Sequence, residues 1–230
     1  MDLTTLPVAD PWAVLPDAPA DPDPFGTPTG EVAYPADPAG IALYDAPGGT
    51  PFAVLPVEAY VGVTGYPVVA HDGSWLQVML VVRRGLPSEV GADGVNAATG
   101  WVYGPQTTTA TLDTVIRADP AAGTVSVVTD GQVTASTEAG FGAPATPTPH
   151  ERTFVMSVAA NPQATYSRVF VYLGSHSPTL DTFDGGPAPI AIHAYRTHAG
   201  EISNGCMRIP ADQLDPFAAV PLGTPVVFTG

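Results

Sequence analysis

The chain has 230 residues, 22 acidic against seven basic side chains, and a formal net charge of −15. That balance excludes the basic footprint of a nucleic-acid binder and an electrostatic clamp on anionic lipid. No run of about 18 apolar residues offers a bilayer span, and a lone cysteine, Cys206, excludes a disulfide framework and a Cys-rich zinc site.

The first residues lack the basic start and apolar stretch of a secretory leader. The first 40 residues hold nine prolines, seven acids and no basic residue. Proline withholds backbone donors and like charges repel, so residues 1–39 are expected to form an arm of little regular structure, extended or wrapped over a neighbour. From Gly40 short apolar runs begin: Ile41-Ala-Leu-Tyr44, Ala53-Val-Leu55, Pro67-Val-Val-Ala70, Trp75-Leu-Gln-Val-Met-Leu-Val-Val82 and Gly100-Trp-Val-Tyr103. The turn His71-Asp-Gly-Ser74 between two of them is a hairpin signal, because glycine supplies the positive φ cheaply. Short strands at this spacing predict a small barrel over residues 40–105. The pair "Gly73-Ser-Trp-Leu-Gln-Val78" and "Thr99-Gly-Trp-Val102" resembles bacterial SH3-like domains, which implies a wall-associated or spacer module.

Residues 106–111 read as a linker. Strands are then predicted at Thr124-Val-Ser-Val-Val128 and Gln132-Val-Thr-Ala135, joined through Asp130-Gly131. Further strands are predicted at Thr153–Val158, Val169–Leu173, Pro189–His193 and Pro225–Phe228. The one helical stretch is Ala211–Ala219, with Asp212 as a candidate cap. The expected fold is therefore mainly β, with a second domain over residues 112–230.

The chemistry concentrates in Ile190–Ile209. A thiol becomes a nucleophile when a base or cation makes its thiolate accessible. His193 and His198 stand thirteen and eight residues before Cys206. His193 ends an apolar strand, so rigid backbone would hold its ring, whereas His198 falls in the intervening loop. Gly205 allows close backbone approach, and the amides of Asn204, Gly205 and Cys206 are candidates to receive a developing oxyanion. Arg208 shares a face with Cys206 in an extended segment. It is a candidate anchor for a carboxylate, and pairing with Asp212 is the competing reading. Ser203 is read either as a turn residue or as a site residue. Tyr195 and Arg196 read either as part of a lid or as exposed surface, and His176, in Leu173-Gly-Ser-His-Ser-Pro178, reads as a loop residue or as part of the cleft wall. His71 reads as a turn residue. No His/Cys/Asp/Glu spacing of a metal motif occurs, so neither metal nor cofactor is expected.

The run "Ile192-His193" followed by "Ser203-Asn-Gly-Cys-Met-Arg-Ile209" resembles the active-site signature of the L,D-transpeptidases, the YkuD-type catalytic domain. "Gly140-Phe-Gly-Ala-Pro-Ala-Thr-Pro-Thr-Pro149", "Phe183-Asp-Gly-Gly186" and "Val220-Pro-Leu-Gly-Thr-Pro-Val-Val227" extend the resemblance over residues 112–230. Asparagine 204 stands where many members have a second histidine. The His-to-Cys loop is shorter than common, Ala194 replaces a frequent glycine or serine, and Glu151 stands where glycine is often seen.

The resemblance implies acyl transfer. His193, oriented by the Ala194 carbonyl, takes the proton of Cys206, which attacks the carbonyl of the third residue of a peptidoglycan stem tetrapeptide. D-Alanine leaves, and the side-chain amine of a second stem resolves the thioester into a 3→3 cross-link. Tyr195, His176, Ser203 and Arg208 would contact substrate, and carbapenems would acylate Cys206. An exported, wall-associated location follows from the same resemblance. Water as acceptor would make an L,D-carboxypeptidase, and loss of activity would leave a wall-binding protein. Sortases and NlpC/P60-type peptidases fit less well: the former place their arginine far downstream, and the latter run cysteine before histidine.

Overall fold

The computed structural model describes residues 2–229. Two β-sheets carry nearly all the regular structure. The first contains β1 (Glu31–Pro35), β2 (Ile41–Tyr44), β3 (Pro51–Leu55), β4 (Tyr66–Asp72), β5 (Trp75–Met79), β6 (Thr99–Tyr103) and β7 (Thr107–Thr111), in the order β3-β2-β6-β5-β4-β1-β7. A one-turn helix, α1 (Pro87–Val90), sits in the connection after β5. Asp72 pairs with Trp75, so Gly73 and Ser74 form the two-residue turn, with Gly73 at φ +57°.

The second sheet contains β8 (Thr114–Asp119), β9 (Thr124–Thr129), β10 (Gln132–Glu138), β11 (Gly140–Gly142), β12 (Thr153–Ala159), β13 (Phe170–His176), β14 (Pro189–Ala194), β15 (Gly200–Ser203), β16 (Met207–Ile209) and β17 (Pro225–Phe228). Its order is β10-β9-β8-β17-β12-β13-β14-β16-β11-β15. The predicted helix at Ala211–Ala219 is instead a short 3-10 turn at Ala211–Gln213 followed by α2 (Asp215–Ala218). Pro216 fits in the first turn of α2 because no backbone donor is needed there. Asp212 caps neither piece.

In the first sheet two segments differ from the sequence expectation. Residues 107–111, read as linker, form β7, which lies antiparallel along β1. β1 itself falls inside the proline-rich stretch read as an arm. Threonines and β-branched residues satisfied by a neighbouring strand override the local polar composition, which carries no information about that partner. The rest of the arm has only a short 3-10 turn (Leu3–Thr5) and isolated bridges, and it lies across both sheets. Ala9 N–H donates to the Val54 carbonyl, Leu15 N–H to Arg83 and Asp21 N–H to Ala97. Arg152 N–H then donates to Pro24.

The sheets share apolar packing. Phe154 and Met156 of β12 belong to the core formed by Leu43, Leu55, Tyr66 and Val78 of the first sheet. A separate core lies between Ile116, Val171, Ile192, Met207 and Phe217. No helix among the described residues is long and apolar enough to cross a membrane.

Candidate active site

β14 and β16 run parallel, and their register sets His193 opposite Arg208 and Ile192 opposite Met207. Register partners share a sheet face, and residues two apart on a strand do as well. His193, Arg208 and Cys206 therefore come to one face, although a thirteen-residue separation divides the histidine from the cysteine. All three line one cleft of about 320 Å³.

His193 is buried, and its Nδ1–H donates to the Ala194 carbonyl at 3.0 Å. That bond fixes the tautomer and leaves Nε2 with a lone pair. Burial lowers its pKa to about 4; the Ala194 bond opposes this shift, while the nearby Arg208 cation adds to it. Cys206 is partly buried, and burial pushes its thiol above the ordinary range. The Ala191 amide and Arg208 act in the opposite direction. At neutral pH the pair therefore rests as thiol and imidazole, with charge formed only when the proton moves.

The turn before Cys206 is built from polar contacts. Ser203 Oγ donates to the Cys206 carbonyl at 2.6 Å and accepts the Gly205 N–H at 3.1 Å. This corrects one expectation: the Gly205 amide is engaged by Ser203, leaving Asn204 and Cys206 as the oxyanion donors to consider. Gly205 adopts φ +111°, and a Cβ there would lie 2.8 Å from Ile190 Cδ1. Two threonines brace the turn from outside. Thr146 Oγ1 donates to the Ser203 carbonyl at 3.0 Å, and Thr148 Oγ1 donates to that of Gly205 at 2.8 Å.

Arg208 does not pair with Asp212. Its Nη1 donates to the Ile202 carbonyl at 3.0 Å, and its guanidinium lies 4.2 Å from the centre of the Tyr195 ring. Its Nε is buried without a partner. Tyr195 thus supports Arg208 from a neighbouring depression and does not itself line the cleft. His198 bonds the Tyr195 carbonyl through Nδ1 and faces Glu138 at 3.8 Å, also outside the cleft. Arg196 is exposed beside it. His71 sits near the end of β4 and pairs with Glu31 at 2.9 Å.

His176, expected on the cleft wall, is instead fully buried. Its Nε2–H donates to the Pro11 carbonyl at 2.9 Å, and its backbone exchanges two hydrogen bonds with the Asn96 side chain. The physical reason is that β13 continues through His176 and ends beneath the arm, where a loop was expected.

Sequence reasoning missed the aromatic wall. Phe170 lies 4.8 Å from the His193 ring centre and Tyr166 5.5 Å from it. Thr146 and Thr148 also escape that reasoning, although they lie within the Gly140–Pro149 run that carries the resemblance.

Residues 113–228 match the YkuD L,D-transpeptidase catalytic domain. The chain belongs to this family. Among solved structures, the L,D-transpeptidase from Mycobacterium smegmatis is 16% identical over 71% of this chain and 93% of that one, with a TM-score of 0.44. An L,D-transpeptidase from Mycobacterium tuberculosis H37Rv is 16% identical over 68% and 90%, with a TM-score of 0.45. The catalytic domain of the Enterococcus faecium L,D-transpeptidase acylated by ertapenem is 21% identical over 52% and 99%, with a TM-score of 0.38. No curated protein sequence matches the chain. The cleft described above lies mainly in the transpeptidase domain, with part of its wall contributed by residues before 113.

Proposed function

We infer that this protein is an exported L,D-transpeptidase that forms 3→3 peptidoglycan cross-links through an acyl-enzyme on Cys206. The observation that carries the reading is the shared cleft of Cys206 and His193, with the imidazole held by the Ala194 carbonyl. As the Cys206 Sγ–H bond breaks, the proton goes to His193 Nε2. The sulfur bonds the carbonyl carbon of the third stem residue, and the developing oxyanion is met by the amides of Asn204 and Cys206. Collapse expels D-alanine, whose amine takes the proton from His193. The amine of a second stem then attacks the thioester, loses its proton to the imidazole and releases the thiol. Arg208 supplies the cation for a substrate carboxylate, with Tyr195 behind it and Ser203 holding the turn. The same reading makes the first sheet an SH3-like module, wall-associated or a spacer, in front of the catalytic domain.

Intact-protein mass after incubation with meropenem tests the nucleophile. Wild type should gain one adduct and Cys206→Ala none. Incubation with a stem tetrapeptide should release D-alanine and yield cross-linked dimer; free tripeptide alone would mark water as the acceptor. No adduct on wild type, or one that survives Cys206→Ala, would overturn the reading.

A further inference from the structure

The transpeptidase domain does not wall its cleft alone. Pro11 and Trp12 of the arm, with Tyr60 from the loop between β3 and β4, line the same cavity as Cys206. Both aromatic residues are held from behind. Asp10 Oδ1 accepts the amides of Trp12 and Ala13 at 2.9 and 3.0 Å, and His176 clamps the Pro11 carbonyl. The Tyr60 loop is pinned by Ser157 Oγ, which donates to the Val61 carbonyl at 2.9 Å, and by Thr64 Oγ1, which accepts the Ala59 amide at 3.0 Å.

The backbone is fixed, yet the rings are left in water. Trp12 is 54% exposed and Tyr60 41%, with centroids 5.5 Å apart and planes 33° apart. Folding gains little from an indole so placed, and exposed aromatic surface next to a site marks contact with a ligand. The rings also continue toward the chemistry. Tyr60 meets Tyr172 at 5.5 Å, Tyr172 stacks on Phe170 at 5.7 Å, and Phe170 packs against His193. The cleft also carries polar groups, namely Asn161, Gln163 and Asp184.

The chemistry of this wall selects its occupant. An aliphatic side chain would leave the amides and the carboxylate of the same cleft unmatched. Arg208 is the cleft's cation and stands beside Cys206, whereas a strongly anionic ligand elsewhere in the cleft would meet Asp184 and a chain of net charge −15. A pyranose ring has a C–H face for the aromatic platform and a belt of hydroxyl and amide groups for the polar side chains. We propose that Trp12 and Tyr60 form a saccharide subsite, continuous with the Cys206 cleft, that takes the amino sugar bearing the stem peptide. The arm thereby becomes part of the substrate-binding surface. The proposal rests on the stem-peptide reading above, but its binding test does not depend on turnover.

The full-length Cys206→Ala protein is titrated with the stem-free disaccharide of N-acetylglucosamine and N-acetylmuramic acid, its lactyl carboxyl capped as an amide so that the probe is neutral, with tryptophan emission and calorimetry as readouts. Saturable binding is expected, weakened at least about fivefold by adding Trp12→Ala and restored in large part by Trp12→Phe. In the active protein, kcat/KM for the disaccharide-tetrapeptide should exceed that for the free tetrapeptide, and Trp12→Ala should bring the ratio toward one. Absence of disaccharide binding, or binding unchanged by Trp12→Ala, overturns the subsite, as does an equal loss on both substrates. A wild type that turns over neither substrate defeats the transpeptidase reading, while the disaccharide titration still decides the subsite.

Discussion

His193 and Cys206 are both kept neutral by the same partly dry pocket, and this shapes the pH dependence expected of the site. Burial lowers the imidazole pKa to about 4, with Arg208 acting in the same direction. An imidazole that stays unprotonated down to that pH remains a base throughout the range where a solvated histidine would already be charged. The second-order rate of meropenem acylation should therefore fall with an acidic limb near pH 4, and a limb near 6.5 would show the ring to be solvated. Arg208→Gln removes a cation that disfavours the imidazolium, so the same limb should move upward. His193→Ala should cost roughly 10²–10⁴ in acylation rate, the range of general-base catalysis, with little change in the thermal midpoint.

At the scale of elements, the site is a turn between β15 and β16 held by a segment more than fifty residues earlier. Thr148 links the two, accepting the Gly142 amide at 2.9 Å and donating to the Gly205 carbonyl. Thr148→Val keeps the shape but strands both partners, an effect of about 1–3 kcal/mol. Acylation should drop roughly tenfold or more as the turn shifts, with Thr148→Ser restoring most of it; rates and melting curves on the three proteins check this. Gly205→Ala should be harsher, since it combines a positive φ with a contact on Ile190. The contrast explains what the sequence could disclose. Ser203, Gly205, Cys206 and Arg208 are adjacent, so their spacing reveals a turn and a shared face. Thr148 and Phe170 reach the site only through strand order and register, which local spacing does not encode. His176 was misread for the same reason: Leu173-Gly-Ser-His176 looks like a loop until β14 is paired against it. Its true neighbour, Pro11, is 165 residues away.

For the whole molecule, the arm adds two buried polar anchors to the apolar packing that the two sheets share. Asp21 and Arg152 form a buried two-pronged ion pair, Nε to Oδ2 at 2.7 Å and Nη2 to Oδ1 at 2.8 Å. Removing one partner of such a pair leaves an uncompensated charge, so Asp21→Ala should cost about 3–5 kcal/mol and lower the melting temperature by roughly 10 °C. The second anchor is His176, and it makes the assembly sensitive to acid. Full burial and the Arg83 cation lower its pKa to about 3, while its bond to Pro11 opposes the shift only weakly. Between its ordinary pKa near 6.5 and about 3, the unfolded chain binds a proton at this position that the folded chain excludes. Stability must then fall as pH falls across that window. His176→Gln offers an N–H to the Pro11 carbonyl and takes up no proton. Urea midpoints measured at pH 7 and pH 4 should therefore drop more in wild type than in His176→Gln. Equal drops would mean that the His176 ring is hydrated and takes no part in the acid sensitivity.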